Sequence, residues 1–320
     1  MSTKKIKSGL GLLIGCLLLI SGSALAGPFV GINYGPFHES GQMPGTPIPD
    51  SQFMSDLGIL SQKFTYIKTY GDDAASRLDR VVPIAAAQFP QLKIYQGVFE
   101  NSSFNSSADT TYLDTATQLA NTYPKAIVAV VVGNECLNTD SNPNPISVSQ
   151  LIADLQYVRT RLKNKGAVQV TTELGYAAAQ QYGAQLEPYV DSIMINIYPF
   201  YAPVPLSGAI ANLIGAYNMF NGQFNGKQVI IGETGWPSAG ADNGAAIPSV
   251  ANEAAYTQAN FTNANQLGSN FLFSAFDEPW LSIQNSWGPN WGLWDMNGNS
   301  KFSFTAKKSA KGKIPPVHKR

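Results

Sequence analysis

The sequence predicts an α/β protein built as a single (β/α)8 barrel, and three observations carry the prediction. Eight short apolar runs alternate with longer amphipathic stretches over about 250 residues, the size of one such barrel. The fourth run, 127–132, is six consecutive aliphatics, four of them valine. That is the pattern of a strand covered on both faces, as in a parallel sheet under helices. No GxGxxG follows the first run, so a doubly wound dinucleotide-binding sheet lacks its phosphate loop.

Strands are expected at 29–34, 64–69, 92–98, 127–132, 168–172, 192–197, 228–231 and 270–276, and helices at 51–61, 74–88, 109–122, 147–164 and 249–268. Ser147 and Asp109 are placed to open their helices, the latter with Asp114 near its first turn. Gly166 and Gly268 close theirs, because glycine adopts the left-handed turn after a helix without strain. Two longer connections, 38–50 and 199–205, follow strands one and six and belong at the mouth, where loops build specificity. There is no internal repeat and no linker that would divide the chain.

Composition sorts the remainder. Residues 1–26 read as a secretory signal peptide: Lys4, Lys5 and Lys7, an apolar stretch from 10 to 20, then Ala24-Leu25-Ala26 before Gly27. That stretch is too short for a comfortable membrane span. Ordinary cleavage near Ala26, giving a secreted or periplasmic protein, is favoured over a lipid anchor at Cys16, because the apolar run continues past that cysteine. Cleavage leaves Cys136 as the one cysteine and no internal disulfide, so the core must hold the fold. The 21 basic and 21 acidic residues balance, but three bases lie in the leader and six in the tail 307–320. Residues 27–306 therefore carry 12 bases against 21 acids, a net −9, which argues against a nucleic-acid partner. The tail reads as a disordered, solvated basic segment.

Two glutamates stand at strand ends: Glu135 after 127–132 in Gly133-Asn134-Glu135, and Glu233 after 229–231 in Gly232-Glu233-Thr234-Gly235-Trp236. Polar residues just past the C-terminal ends of barrel strands sit where the chemistry is done. Two facing carboxylates are the equipment for cleaving a glycosidic bond with retention, one as acid and one as nucleophile. Asn134 is suited to hydrogen-bond a sugar 2-hydroxyl, and Trp236 to offer a flat face to a sugar ring. Such chemistry asks for no cofactor and no metal.

With these motifs the chain resembles family 17 of the glycoside hydrolases, the β-1,3-glucanase and glucanosyltransferase family of the retaining (β/α)8 clan. The resemblance runs from Gly31-Ile32-Asn33-Tyr34-Gly35 through Val132-Gly133-Asn134-Glu135 and Ile231-Gly232-Glu233-Thr234-Gly235-Trp236-Pro237-Ser238. It continues through Phe276-Asp277-Glu278-Pro279-Trp280 to a closing Trp291-Gly292-Leu293-Trp294. It implies that Glu135 is the acid/base and Glu233 the nucleophile, acting on a β-1,3-linked or related β-glucan. It also places Tyr34, Tyr198, Asp277 and Glu278 along the cleft. One departure is the lysine that the family pattern sets near Asp-Glu-Pro-Trp: here Leu281-Ser282-Ile283-Gln284 follows.

The alternatives are a glucanosyltransferase using the same residues, a cellulase or mannanase of the same clan, and a silent barrel that only binds glycans. A metal site from Asp277-Glu278 with Asp72-Asp73 is disfavoured, and the only histidines, His38 and His318, leave a triad or zinc site little to work with. His38 reads as a solvated loop residue and Cys136 as a small packing residue. Trp280, Trp287 and Trp291 stand between sugar subsite and core, with Trp280 expected as a substrate contact. Asn101, Asn105 and Asn260 head Asn-X-Ser/Thr triplets of the kind frequent by chance.

Overall fold

Eight parallel strands pair in chain order and close, the last against the first. The computed structural model of the protein describes residues 27–100, 110–137, 144–163, 166–224 and 226–306; the expected leader and basic tail lie outside these. The strands are β1 Val30–Asn33, β2 Tyr66–Lys68, β3 Lys93–Val98, β4 Ile127–Asn134, β5 Gln169–Gly175, β6 Ser192–Asn196, β7 Gln228–Thr234 and β8 Asn270–Leu272. Between them run α1 Asp50–Lys63, α2 Val81–Gln88, α3 Thr111–Thr122, α4 Val148–Arg161, α5 Tyr176–Leu186, α6 Leu206–Gln223, α7 Val250–Thr262 and the short α8 Ala264–Leu267. Closure sets Val30 opposite Asn270 and Ile32 opposite Leu272. The (β/α)8 expectation is met.

Local chemistry fixes several boundaries. Ser147 caps α4 by accepting from the Gln150 amide at 3.1 Å, and Ser249 caps α7 through the Asn252 amide at 3.1 Å. The expected helix 74–88 is split: Arg77 takes a left-handed φ of +62°, a 3-10 turn spans Leu78–Arg80, and α2 starts at Val81. Pro83 then falls in the first turn, where a missing amide hydrogen costs nothing. The eighth strand is shorter than expected because its continuation leaves the ladder. Ser274 donates to the Trp291 carbonyl and Ala275 to that of Asn33. Helices α5 and α6 lie outside the expected set.

Two apolar layers carry the fold. The larger fills the space between helices and barrel. The smaller plugs the barrel floor with Phe29, Tyr66, Tyr95, Met194, Ile230 and Phe271 among others. Phe29 stacks on Tyr66 at 3.9 Å between centroids, and Phe271 meets Tyr95 edge-on at 5.0 Å. Above this floor the interior turns polar, with Asn33, Lys68, Glu173 and Asn196 all buried. Asn260 is fully buried on α7, so its Asn-X-Thr triplet is not a surface acceptor. Among the described residues no helix is long and apolar enough to cross a membrane.

Phe271→Ala opens a cavity in the floor and is expected to lower stability by about 3–5 kcal/mol. Urea unfolding should show a lower midpoint at an unchanged slope. A shift near zero would mean that Phe271 does not help to plug the barrel.

Candidate active site

The barrel inserts one extra residue into β4 before Asn134 and one into β7 before Glu233. Along β4 the register steps from Val131 opposite Thr171 to Asn134 opposite Glu173, three residues against two. Along β7 it steps from Ile231 opposite Ile195 to Glu233 opposite Asn196, leaving Gly232 as the extra residue. Such bulges turn a side chain that strict alternation would send outward. At Gly232 a Cβ would sit 2.2 Å from Glu173 Oε1, so only glycine fits there. The turn out of β4 is tight: Gly133 has φ +74° and Glu135 itself has φ +51°. A glutamate held in the left-handed region is strained, and strain of this kind gathers at functional sites. The Glu135 amide is anchored to the Glu173 carbonyl at 2.9 Å.

Four donors converge on the Glu233 carboxylate. Tyr70 donates to Oε1 at 2.8 Å, Lys68 at 3.2 Å and Asn134 at 3.4 Å, while Tyr198 donates to Oε2 at 2.7 Å. Burial, reinforced by the charge of Glu233, holds the phenols of Tyr70 and Tyr198 far above their ordinary range, so both remain donors. Asn196 donates to Glu135 Oε1 at 3.0 Å and to Asn134 Oδ1 at 3.2 Å. Two carboxamides thus link the two glutamates in one chain of hydrogen bonds: Glu135, Asn196, Asn134, Glu233. Beneath Glu233, Lys68 is fully buried and donates to both oxygens of Glu173. Burial drives the Glu173 carboxyl up, and the Lys68 charge opposes it.

Glu278 approaches from the loop after β8. A Cβ on Gly35 would fall 2.1 Å from Glu278 Oε1, so Gly35 gives it room. Its Oε2 accepts from Trp280 Nε1 at 2.7 Å. Burial pushes Glu278 up to about 7, with the Trp280 bond and His38 pulling the other way. Its neighbour Asp277 is differently employed. Asp277 Oδ1 accepts from the Gly292 amide at 2.9 Å and from Lys301 at 3.0 Å, and Lys301 also meets Glu253 of α7 at 3.0 Å. The cation missing after Trp280 is therefore supplied from later in the chain, and to Asp277. Among the described residues no group of three or more acidic, His or Cys side chains could hold a metal ion.

Several expected placements need correction. Trp236 is 1% exposed, donates to the Ile247 carbonyl at 2.9 Å and packs on Phe200 and Tyr256, so it is core and offers no face to a sugar. Tyr34 is also 1% exposed, its hydroxyl bound to Asp56 at 2.7 Å behind the cleft. His38 is not a solvated loop residue. Its ring stacks on Phe276, Nδ1 donates to the Met296 carbonyl at 2.8 Å and Nε2 to Asp56 at 3.0 Å. Trp291 is core, whereas Trp280 and Trp287 are half-buried. Cys136 is free and buried, with its thiol pushed up by burial.

Sequence reasoning missed Lys68, Tyr70, Glu173 and Asn196. A signal existed for the first two: Tyr66, Lys68 and Tyr70 alternate, so all three face the interior that the floor aromatics occupy. Asn196 shares that spacing with Met194 and Tyr198. Glu173 lies one residue past the expected end of strand five.

The fold is thus a closed eight-stranded parallel barrel with two glutamates at the C-terminal ends of its strands, joined through two carboxamides. The sequence matches the BtgE/BtgC glycoside hydrolase domain over residues 31–292, and the chain belongs to that family. The probable glucan endo-1,3-beta-glucosidase btgC of Aspergillus fumigatus is 26% identical over 302 residues, covering 85% of this chain and 42% of the relative. The cell surface mannoprotein MP65 of Candida albicans is 29% identical over 265 residues, 81% of this chain and 65% of that one. The chain thus spans less than half the length of the btgC relative. In fold it is similar to the glycoside hydrolase family 17 β-1,3-glucanosyltransferase of Rhizomucor miehei, with TM-score 0.70, 21% identity and coverage of 88% and 98%. An endo-laminarinase from Formosa Hel1_33_131 superposes equally well, with TM-score 0.70, 18% identity and coverage of 91% and 96%.

The His38 pair gives a pH test. Burial pushes the ring down, but its hydrogen bond and charge contact with Asp56 more than offset this, and His38 titrates above its ordinary range. A raised folded pKa stabilises the protein fully below the unfolded value of about 6.5, and that contribution is lost as pH rises through the folded value. Between about pH 5.5 and about pH 8.5 the wild type should lose more urea stability than His38→Gln. Equal losses would remove His38 from this account.

Proposed function

We propose that the protein is a retaining glycoside hydrolase of the family 17 kind, acting on a β-1,3-glucan or a related β-glucan. Glu233 attacks the anomeric carbon while Glu135 protonates the departing sugar oxygen. Glu135 then takes a proton from water, which releases the sugar from Glu233. The observation that carries this reading is the carboxamide chain through Asn196 and Asn134, which ties one glutamate to the other at the strand ends. The four donors around Glu233 support its role as the fixed nucleophile, since they hold one carboxylate orientation while the substrate enters. Asn134 then serves as the contact for the 2-hydroxyl. Tyr198, Glu278 and Trp280 line the cleft. No cofactor enters any step.

A glucanosyltransferase is the second reading. There Glu135 activates a sugar hydroxyl in place of water, using the same residues. The fold likeness to the Rhizomucor miehei transferase favours keeping it in view. We further propose that the protein works outside the cytoplasm, after removal of residues 1–26, which lie beyond the described region.

Laminarin oligosaccharides are incubated with the protein and the products sized by mass spectrometry. Shorter products are expected for a glucanase, products longer than the substrate for a transferase. Glu233→Gln and Glu135→Gln should each lower turnover by at least about a thousandfold, the scale of losing an essential group. Binding without any product, with other β-glucans also untouched, would make the barrel a glycan-binding module instead.

A further inference from the structure

We propose that Lys68 is a positioning residue whose one charge is divided between Glu233 and Glu173, with Glu173 keeping it paired while Glu233 is esterified. The proposal rests on Glu233 being the nucleophile. Lys68 is fully buried on β2, so its ammonium has no water to turn to and must be paired within the protein. An ammonium carries three donors. All three are spent, two on the oxygens of Glu173 and one on Glu233 Oε1 at 3.2 Å. The Tyr70 ring lies beneath the same nitrogen at 4.6 Å, which adds a cation–π contact. One cation thus serves two carboxylates.

The chemistry explains why two are needed. In the first step an oxygen of Glu233 bonds to the anomeric carbon as the bond to the leaving sugar breaks, and that sugar oxygen takes the proton of Glu135. Glu233 is then an uncharged ester. With no second carboxylate, Lys68 would be left as a lone buried cation, one of the costliest groups an interior can hold. Glu173 prevents that. In the second step water loses a proton to Glu135 and bonds to the anomeric carbon. The ester bond breaks, Glu233 keeps the electron pair, and Lys68 recovers its second partner.

Other charges face Glu233 from the neighbouring elements. Glu135 follows β4 and Glu278 follows β8, both carboxylates. The phenols are Tyr70 after β2 and Tyr198 and Tyr201 after β6. Among these groups Lys68 alone is a cation, so the two partners of the shared charge should push the nucleophile in opposite directions. Removing Lys68 takes away a stabilising positive charge, and removing the charge of Glu173 takes away a competitor for it.

The test is the pH dependence of kcat/KM on an activated aryl β-laminaribioside, followed through the position of its acidic limb. Wild type, Lys68→Met, Lys68→Arg and Glu173→Gln are compared. Lys68→Met should move the acidic limb up by about one pH unit, with a plateau lower by tenfold or more, and Lys68→Arg should restore the limb. Glu173→Gln should move it down. Thermal unfolding shows which variants are folded, and if Lys68→Met is not, the downward shift in the near-isosteric Glu173→Gln decides. Limbs that stay in place, or that move the same way in both variants, would overturn the proposal. Glu233→Gln separates the two readings. If it keeps its activity, the nucleophile assignment falls; if it is silent while the limbs of the other variants stay put, only the shared-charge proposal falls.

Discussion

The carboxylate of Glu233 is the point on which the upper half of the barrel converges. Its four donors come from the ends of β2, β4 and β6, and Glu233 itself from β7. Hydrogen bonds act only over about 3 Å, so these four strand ends must stand around one point. That requires a closed sheet, with β8 returning to β1, and it requires the two bulges that turn Asn134 and Glu233 inward. An open sheet of the same strands would leave β2 and β7 on opposite flanks. The convergence is what closure accomplishes chemically.

Placing so much polarity inside a protein is costly unless each group is paired. The barrel separates the two demands by height. The aromatic floor, with Phe29, Tyr66, Tyr95 and Phe271, supplies the apolar burial that stabilises the closed sheet. The layer above supplies no such gain and is held by hydrogen bonds: Asn33 to the carbonyls of Gly232 and Leu272, Asn196 to Glu135 and Asn134, Lys68 to Glu173. A side chain's position along its strand thus decides whether it serves stability or chemistry. Tyr66 and Tyr70, two residues either side of Lys68, illustrate the division.

Much of this was legible in the sequence, and the missing parts have physical reasons. Strands covered on both faces must be apolar throughout, so β4 announced itself, and with it the barrel. Glu135 and Glu233 were visible because a charge directly after such a run can only stand at its end. Lys68 was passed over because β2 is short and its lysine looks like the polar half of an exposed alternation. Nothing in the apolar pattern encodes a one-residue bulge, so the aim of Asn134 and Glu233 could not be read. Trp236 was misread for the same kind of reason: composition gives an aromatic its chemistry but not the side it faces. His38 looked solvated because Asp56, which holds it, is brought near only by α1 packing against the barrel.

Lys301 joins Asp277, beside Glu278, to Glu253 on α7, and the Trp294 backbone pairs with Phe276 nearby. The rim after β8 is therefore braced by residues that are synthesised after every strand of the barrel. A chain emerging residue by residue has all eight strands available before it has this brace. Contacts between the first and last strands, such as Val30 with Asn270, likewise join residues far apart in the chain, the kind of contact that slows folding. The Asp277-Glu278 corner is thus the part of the rim whose support is encoded last in the chain. An incomplete chain could hold a nearly finished barrel while that corner still lacks its brace.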